Sequence, residues 1–160
     1  MTIRVGQGYD IHRLKPGLPL WLGGVKIDSP LGSEAHSDGD ALLHALIDAL
    51  LGAAALGDIG DHFPPSNPQY QNIASSVLLE KVLTVLRTHH YQISNCDATV
   101  FLESPKLYPY KDAIRQQLAI LLSLETNAVS FKAKTAEGFP PVGTSEAIAA
   151  SVTVLIQTTG

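Results

Sequence analysis

HSDGDALLHALIDALLGAAALG, running from His36 to Gly57, decides the fold. Leu43, Leu46, Ile47, Leu50 and Ala54 recur at intervals of three and four, which predicts one helix over Asp38 to Leu56 with its core face on that stripe. Ser37 followed three residues later by Asp40 resembles a capping box with a shorter acid, and Gly57 is a plausible stop. On the N-terminal side, Ile3 and Val5 alternate with polar residues before Gly6 and Gly8, so Thr2 to Tyr9 reads as a strand running into a tight turn. LPLWLGGVKID is then a hairpin about Gly23 and Gly24. On the C-terminal side, the proline-rich GDIGDHFPPSNP is a loop, and a second amphipathic helix covers Ser76 to Thr88. Cys96 to Glu103 alternates as a strand, SPKLYPY turns, Lys111 to Leu122 forms a third helix, and Val129 to Lys134 and Ile148 to Ile156 are the last strands. The fold class is therefore α+β. We expect a two-layer sandwich, mostly β sheet with helices packed on one face and ferredoxin-like, in a single domain spanning 1–160.

Composition narrows the function. A net charge of −4, with eleven Lys and Arg scattered along the chain, provides no basic face for nucleic acid. The single cysteine, Cys96, excludes an intrachain disulfide framework and fits a reducing compartment. Met1 to His12 lacks the apolar core of a signal peptide, and the most apolar run, Ala41 to Leu56, is interrupted by His44 and Asp48. Neither secretion nor a membrane span is expected. An anionic substrate would have to be held by a metal, by backbone N–H groups and by local cations such as Lys106, Lys132 and Lys134.

The chemistry-bearing groups fall into clusters. In GQGYDIH, Asp10 and His12 are two apart, so in an extended segment they share a face and could share a metal. If both sit on or next to the same helix, His36 and His44, eight residues apart, are about 12 Å apart along its axis, whereas ligands of one zinc each lie about 2 Å from the ion. One of them can join Asp10 and His12, but both cannot. His44, within the helix body, is the better ligand; Asp40 or Asp48, one turn either side, could orient its ring. The alternative is a core-boundary histidine bonded to one of those aspartates. Three ligands, Asp10, His12 and His44, would leave a fourth zinc position open, as in catalytic sites. His36 and Ser37 then sit at the helix N-terminus, where capping and phosphate binding are both open. Asp58 lies in a glycine-rich turn, Lys106 in the loop ESPKLYP, and Lys132 and Lys134 on one strand face, followed by Thr135 and Glu137.

Taken in order, GQGYDIH, LWLGGVKI, the block from Gly32 to Pro64, ESPKLYP and KAKTAEGF resemble the 2-C-methyl-D-erythritol 2,4-cyclodiphosphate synthase family over essentially the whole chain. The resemblance implies conversion of 4-diphosphocytidyl-2-C-methyl-D-erythritol 2-phosphate into the cyclic diphosphate with release of CMP, in the non-mevalonate isoprenoid pathway. It implies Zn²⁺ on Asp10, His12 and His44, and Mg²⁺ or Mn²⁺ on Glu137. It further implies transition-state stabilisation by His36 and Thr135, with Ser37 on the phosphate and Asp58 and Gly60 on the ribose and methylerythritol. Leu102 to Tyr108, including Lys106 and Leu107, together with Ala133, Lys134 and Thr135, would form the cytidine pocket. Family members are homotrimers with sites at subunit interfaces, so a trimer in the bacterial cytoplasm, or in the plastid stroma for a trimmed plant protein, is expected. Thr144 stands where many relatives carry an arginine. Two other functions fit the same residues: a zinc phosphohydrolase, and a zinc-stabilised trimeric binding module without catalysis.

Overall fold

The computed structural model describes residues 1–159. Strands β1 (Ile3–Pro16), β4 (Leu31–Ser33), β5 (Tyr91–Phe101), β6 (Val129–Lys134) and β7 (Ala147–Thr158) form one sheet in the order β4-β1-β7-β5-β6. Strands β2 (Leu20–Leu22) and β3 (Val25–Ile27) form a separate hairpin. Helices α1 (Ala41–Ala54), α3 (Ser75–Thr88) and α4 (Lys111–Leu122) cover one face, and the short α2 (Ile59–His62) follows α1 within the region read as a loop. The α+β class is as expected. The connectivity is not ferredoxin-like: β5 and β6 pair in parallel, joined through α4, while β1 and β5 both run antiparallel to β7. A helix between two neighbouring strands carries the chain back to the starting end of the sheet, so those strands point the same way.

β1 departs most from expectation. Gly6 and Gly8 do not begin a turn; they are paired strand residues facing Val154 and Val152 across the ladder. A Cβ on Gly6 would overlap the Ala49 carbonyl oxygen, and one on Gly8 the Ala45 carbonyl oxygen. The glycines are present because α1 lies directly on the strand backbone. Along this contact two strand residues advance about 6.6 Å and four helical residues about 6 Å, so the register persists. Gly6 lies over Ala49 and Ala53, Gly8 over Ala45 and Ala49, and continuing the match brings Asp10 and His12 to the first turn of α1, where His44 stands.

Asp40, rather than Ser37, caps α1. Its carboxylate is completely buried and accepts from the backbone N–H groups of Leu43 at 3.0 Å, Gly23 at 2.9 Å and Gly24 at 2.7 Å. Gly23 and Gly24 have φ of 61° and 78°, as a two-residue hairpin turn requires, so one side chain fastens that turn to the helix. Burial pushes the Asp40 carboxyl up, against the opposing pull of the Gly24, Leu43 and Gly23 N–H groups. Cys96 is free and buried; burial and neighbouring Asp97 push its thiol up to about 12, so it packs as a small apolar side chain. Among the described residues no helix is long and apolar enough to cross a membrane.

Two substitutions test the strand-to-helix contact by chemical denaturation. Gly8→Ala should cost about 3 kcal/mol, the upper end of ordinary overpacking losses, because its neighbours are backbone. Gly52→Ala, in the same helix with open space around its Cβ site, should stabilise by up to about 1 kcal/mol.

Candidate metal centre and substrate cavities

His12 Nε2 lies 2.8 Å from Asp10 Oδ2 and 3.0 Å from His44 Nδ1, and His44 Nδ1 lies 3.1 Å from the same Asp10 oxygen. β1 supplies two of these groups on one face and α1 the third. Among the described residues they are the only grouping of three or more side chains able to hold a metal ion. Two imidazole nitrogens and one carboxylate oxygen are donors that suit zinc, and ligands about 2.0–2.1 Å from a tetrahedral ion stand at about this mutual spacing. The residues present therefore fit the metal.

Electrostatics point the same way. Burial pushes the Asp10 carboxyl up, but the hydrogen bonds and charges of His12 and His44 outweigh it and hold the group well below the usual carboxylate range. Burial pulls His44 down, yet the Asp10 carboxylate, aided by Asp40 and Asp38, carries the net shift upward. Neither Asp40 nor Asp48 touches the His44 ring. Asp40 is committed to the hairpin, while Asp48 accepts from the Ile59 N–H at 2.8 Å and so ties the first turn of α2 to α1. The ring is instead met at Nε2 by Ser75 Oγ at 2.9 Å and Ser37 Oγ at 3.0 Å.

Beside the triad is a cavity of about 320 Å³ lined by His12, His36, Ser37, His44, Gly60 and Tyr70, among others. His36 is exposed there, and its carbonyl accepts from the Asn72 N–H at 2.8 Å. Asp58 is exposed and caps α2 in a reciprocal pair with Asp61, accepting from the Asp61 N–H at 3.0 Å. A second cavity, of about 180 Å³, is lined by Leu102, Lys106, Leu107, Tyr108, Lys111, Ala133, Lys134 and Thr135. Of the segment Leu102 to Tyr108 expected at a cytidine pocket, Leu102, Lys106, Leu107 and Tyr108 line this cavity and Glu103, Ser104 and Pro105 do not; Ala133, Lys134 and Thr135 line it as well, and Lys111 joins them. Thr135 Oγ1 donates to Glu137 at 2.6 Å, and Glu137 holds φ of 51°, a conformation costly for a residue with a side chain. Lys132 does not join the pocket; it pairs with Asp97 at 2.7 Å.

The two cavities are separate within the chain. The ladder runs Ile11 to Ala149, Ala149 to Phe101 and Phe101 to Lys134, three strand spacings or about 14 Å. His36 and Thr135 are thus not brought together. The sequence carries no signal that Asp38 and Ser75 support His44: nothing in SSVLLEKV distinguishes Ser75 from any serine at a helix start.

The YgbB family pattern matches residues 3–157. The chain belongs to the YgbB family. A 2-C-methyl-D-erythritol 2,4-cyclodiphosphate synthase of Gloeobacter violaceus is 52% identical over 155 residues, 97% of this chain and 95% of that one. The same synthase of Thermosynechococcus vestitus is 49% identical over 157 residues, 98% of each chain. A solved structure of 2C-methyl-D-erythritol-2,4-cyclodiphosphate synthase in its CDP-bound form superposes with a TM-score of 0.90 at 38% identity, covering 96% of this chain and all of that one. The activity of this YgbB member is accordingly 2-C-methyl-D-erythritol 2,4-cyclodiphosphate synthesis; the zinc phosphohydrolase alternative finds no support among these relatives.

His44→Ala should abolish stoichiometric zinc binding and His36→Ala should retain it, measured by metal analysis after dialysis; equal loss in both would refute the assignment. The pH dependence of metal-free protein has a definite sign. Because the folded His44 titrates above its unfolded value, its contribution is full below the unfolded value and disappears as pH rises through the folded one. Asp10, depressed by its partners, contributes above its unfolded value and ceases to do so as pH falls through the folded one. Thermal unfolding without metal should show greatest stabilisation from the cluster between those limits, and Asp10→Asn should flatten the profile.

Proposed function

We propose that Asp10, His12 and His44 hold one Zn²⁺ per chain, and that Glu137 holds Mg²⁺ or Mn²⁺ together with the substrate diphosphate. The zinc would act as a Lewis acid on a phosphate oxygen. The observation carrying this reading is the convergence of three ligand atoms within 3.1 Å at the wall of the His36–Ser37 cavity. The reaction is a cyclising phosphorus–oxygen lyase step: the 2-phosphate oxygen of the substrate bonds to the β-phosphorus, and the bond to CMP breaks. Nucleophile and electrophile share one molecule, so the site's task is to fold the substrate and spread charge. Such orientation reaches effective molarities on the order of 10⁵ M or more. His36 and Thr135 would stabilise the transition state, and Ser37 would hold a phosphate oxygen. Asp58 and the turn through Gly60 would receive the sugar hydroxyls. Leu102, Lys106, Leu107, Tyr108, Ala133, Lys134 and Thr135 would hold the cytidine.

We further infer a homotrimer with the zinc part of each site on one chain and the cytidine part on the next, each chain acting as one domain. Two observations support it. The cavities are separated across the sheet, and the helix-free face exposes Val5, Tyr9 and Ile11, an apolar row on β1 that a partner would cover. Thr144 Oγ1, where many relatives carry arginine, sits 3.0 Å from Glu146 Oε1, so any axial anion site relying on that arginine would be altered. The bacterial relatives support a cytoplasmic location.

Incubation with the diphosphocytidyl substrate and Mg²⁺, followed by ³¹P NMR, should yield CMP and a cyclic diphosphate. Linear phosphate products or unchanged substrate would contradict the reading. The shared site has its own test: His44→Ala and Thr135→Ala should each be inactive alone, but after mixing and subunit exchange about a quarter of sites should combine two intact halves. Absence of recovered activity after proven exchange would place both halves in one chain.

A further inference from the structure

Ser75 opens α3 with its side chain fully buried, 31 residues from His44 in sequence yet touching its ring. Its hydroxyl donates to Asp38 Oδ1, and its backbone N–H donates to Asp38 Oδ2 at 2.9 Å. Asp38 thus caps α3, whose own N-cap, Ala74, has no side-chain acceptor. A serine hydroxyl has one proton, and an ionised carboxylate is its strongest available acceptor. With that proton on Asp38, Ser75 Oγ can face His44 Nε2 only as an acceptor, so Nε2 carries a hydrogen. The neutral ring then has its lone pair on Nδ1, the atom pointing at Asp10 Oδ2 and His12 Nε2.

The consequence reaches Ser37. Its Oγ lies 3.0 Å from the same Nε2–H and accepts from the Gly39 N–H at 3.3 Å. Both contacts use oxygen lone pairs. The Ser37 proton is therefore left to point into the cavity that Ser37 lines, where a phosphate oxygen would accept it.

We propose that Asp38 and Ser75 are positioning residues: the relay Asp38–Ser75–His44 locks His44 as the Nε2–H tautomer, directs Nδ1 to the metal, and makes the Ser37 hydroxyl a donor toward substrate phosphate. The proposal rests on the reading of Asp10, His12 and His44 as metal ligands. It also explains why the two segments are held together twice more, by Asn72 N–H to His36 O at 2.8 Å and Asp38 N–H to Ile73 O at 3.1 Å. These bonds fix the relay's ends on a shared piece of backbone.

Two measurements test it. Zinc affinity of the metal-free full chain, by competition with a chromophoric chelator, should fall about 10- to 100-fold in Ser75→Ala and return to near the unsubstituted value in Ser75→Thr, which keeps the hydroxyl. Unchanged affinity in a folded Ser75→Ala would overturn the proposal while leaving the metal reading intact. Independently of any variant, ¹⁵N NMR of histidine-labelled protein in mildly alkaline, metal-free solution should show the His44 hydrogen on Nε2; a hydrogen on Nδ1 would overturn the relay. Failure of the unsubstituted protein to bind zinc would instead defeat the metal reading, and the NMR result would still decide the tautomer.

Discussion

The contact between the backbone of β1 and the carbonyls of α1 is the constraint on which the site depends. Only glycine at positions 6 and 8 lets the helix lie that close, and the near match of strand and helix advances keeps the two elements in step for several residues. Without that approach, Asp10 and His12 would stand farther from His44 than a single ion can bridge. The candidate metal centre is thus a product of backbone packing: Asp10, His12 and His44 are brought together by residues that have no side chains at all.

Around this contact the buried Asp40 and the half-buried Asp38 and Asp48 each have a structural task. Asp40 gathers three backbone N–H groups and joins the hairpin to α1, Asp48 fastens α2, and Asp38 caps α3 through Ser75. Buried carboxylates are costly unless satisfied, and these are satisfied largely by N–H groups at turns and helix starts that would otherwise be orphaned. The same bonds hold the cavity wall, since the ends of α1, α2 and α3 meet there. Stability and site geometry are consequently hard to separate in this half of the molecule.

The other half is built differently. The second cavity lies at the far end of the β5–β6 pair; on the sheet face turned away from the helices Val142, Ala147 and Ala149 are buried together, but the apolar side chains of β1 are covered by none of the described residues. In the trimer proposed for this protein, a neighbouring chain would cover that row. The chemistry inferred for it, an intramolecular attack that needs folding of a long substrate, suits a cleft with separate grips for phosphate and for base.

Much was legible in the sequence. The period of Leu43 to Ala54 determined α1, the alternation from Cys96 to Phe101 determined the C-terminal half of β5, and Gly23 and Gly24 determined the hairpin, whereas the helical distance between His36 and His44 did not apply, because α1 begins only at Ala41 and the chain before it folds back until Ser37 meets the His44 ring. The first three are local facts of spacing, and local geometry follows from spacing. Spacing misleads where the cause is non-local. Gly6 and Gly8 carry the same letters whether they make a turn or admit a helix, and only the packed α1 distinguishes the two. Whether Ser37 or Asp40 caps the helix depended on a hairpin turn 16 residues earlier, and the parallel pairing of β5 and β6 depended on where α4 returns the chain. Ser75 became a neighbour of His44 only when α3 packed on α1. A sequence determines what each segment can do; which partner completes it is decided when distant backbone atoms meet, because hydrogen bonds and ligand contacts extend only about 3 Å.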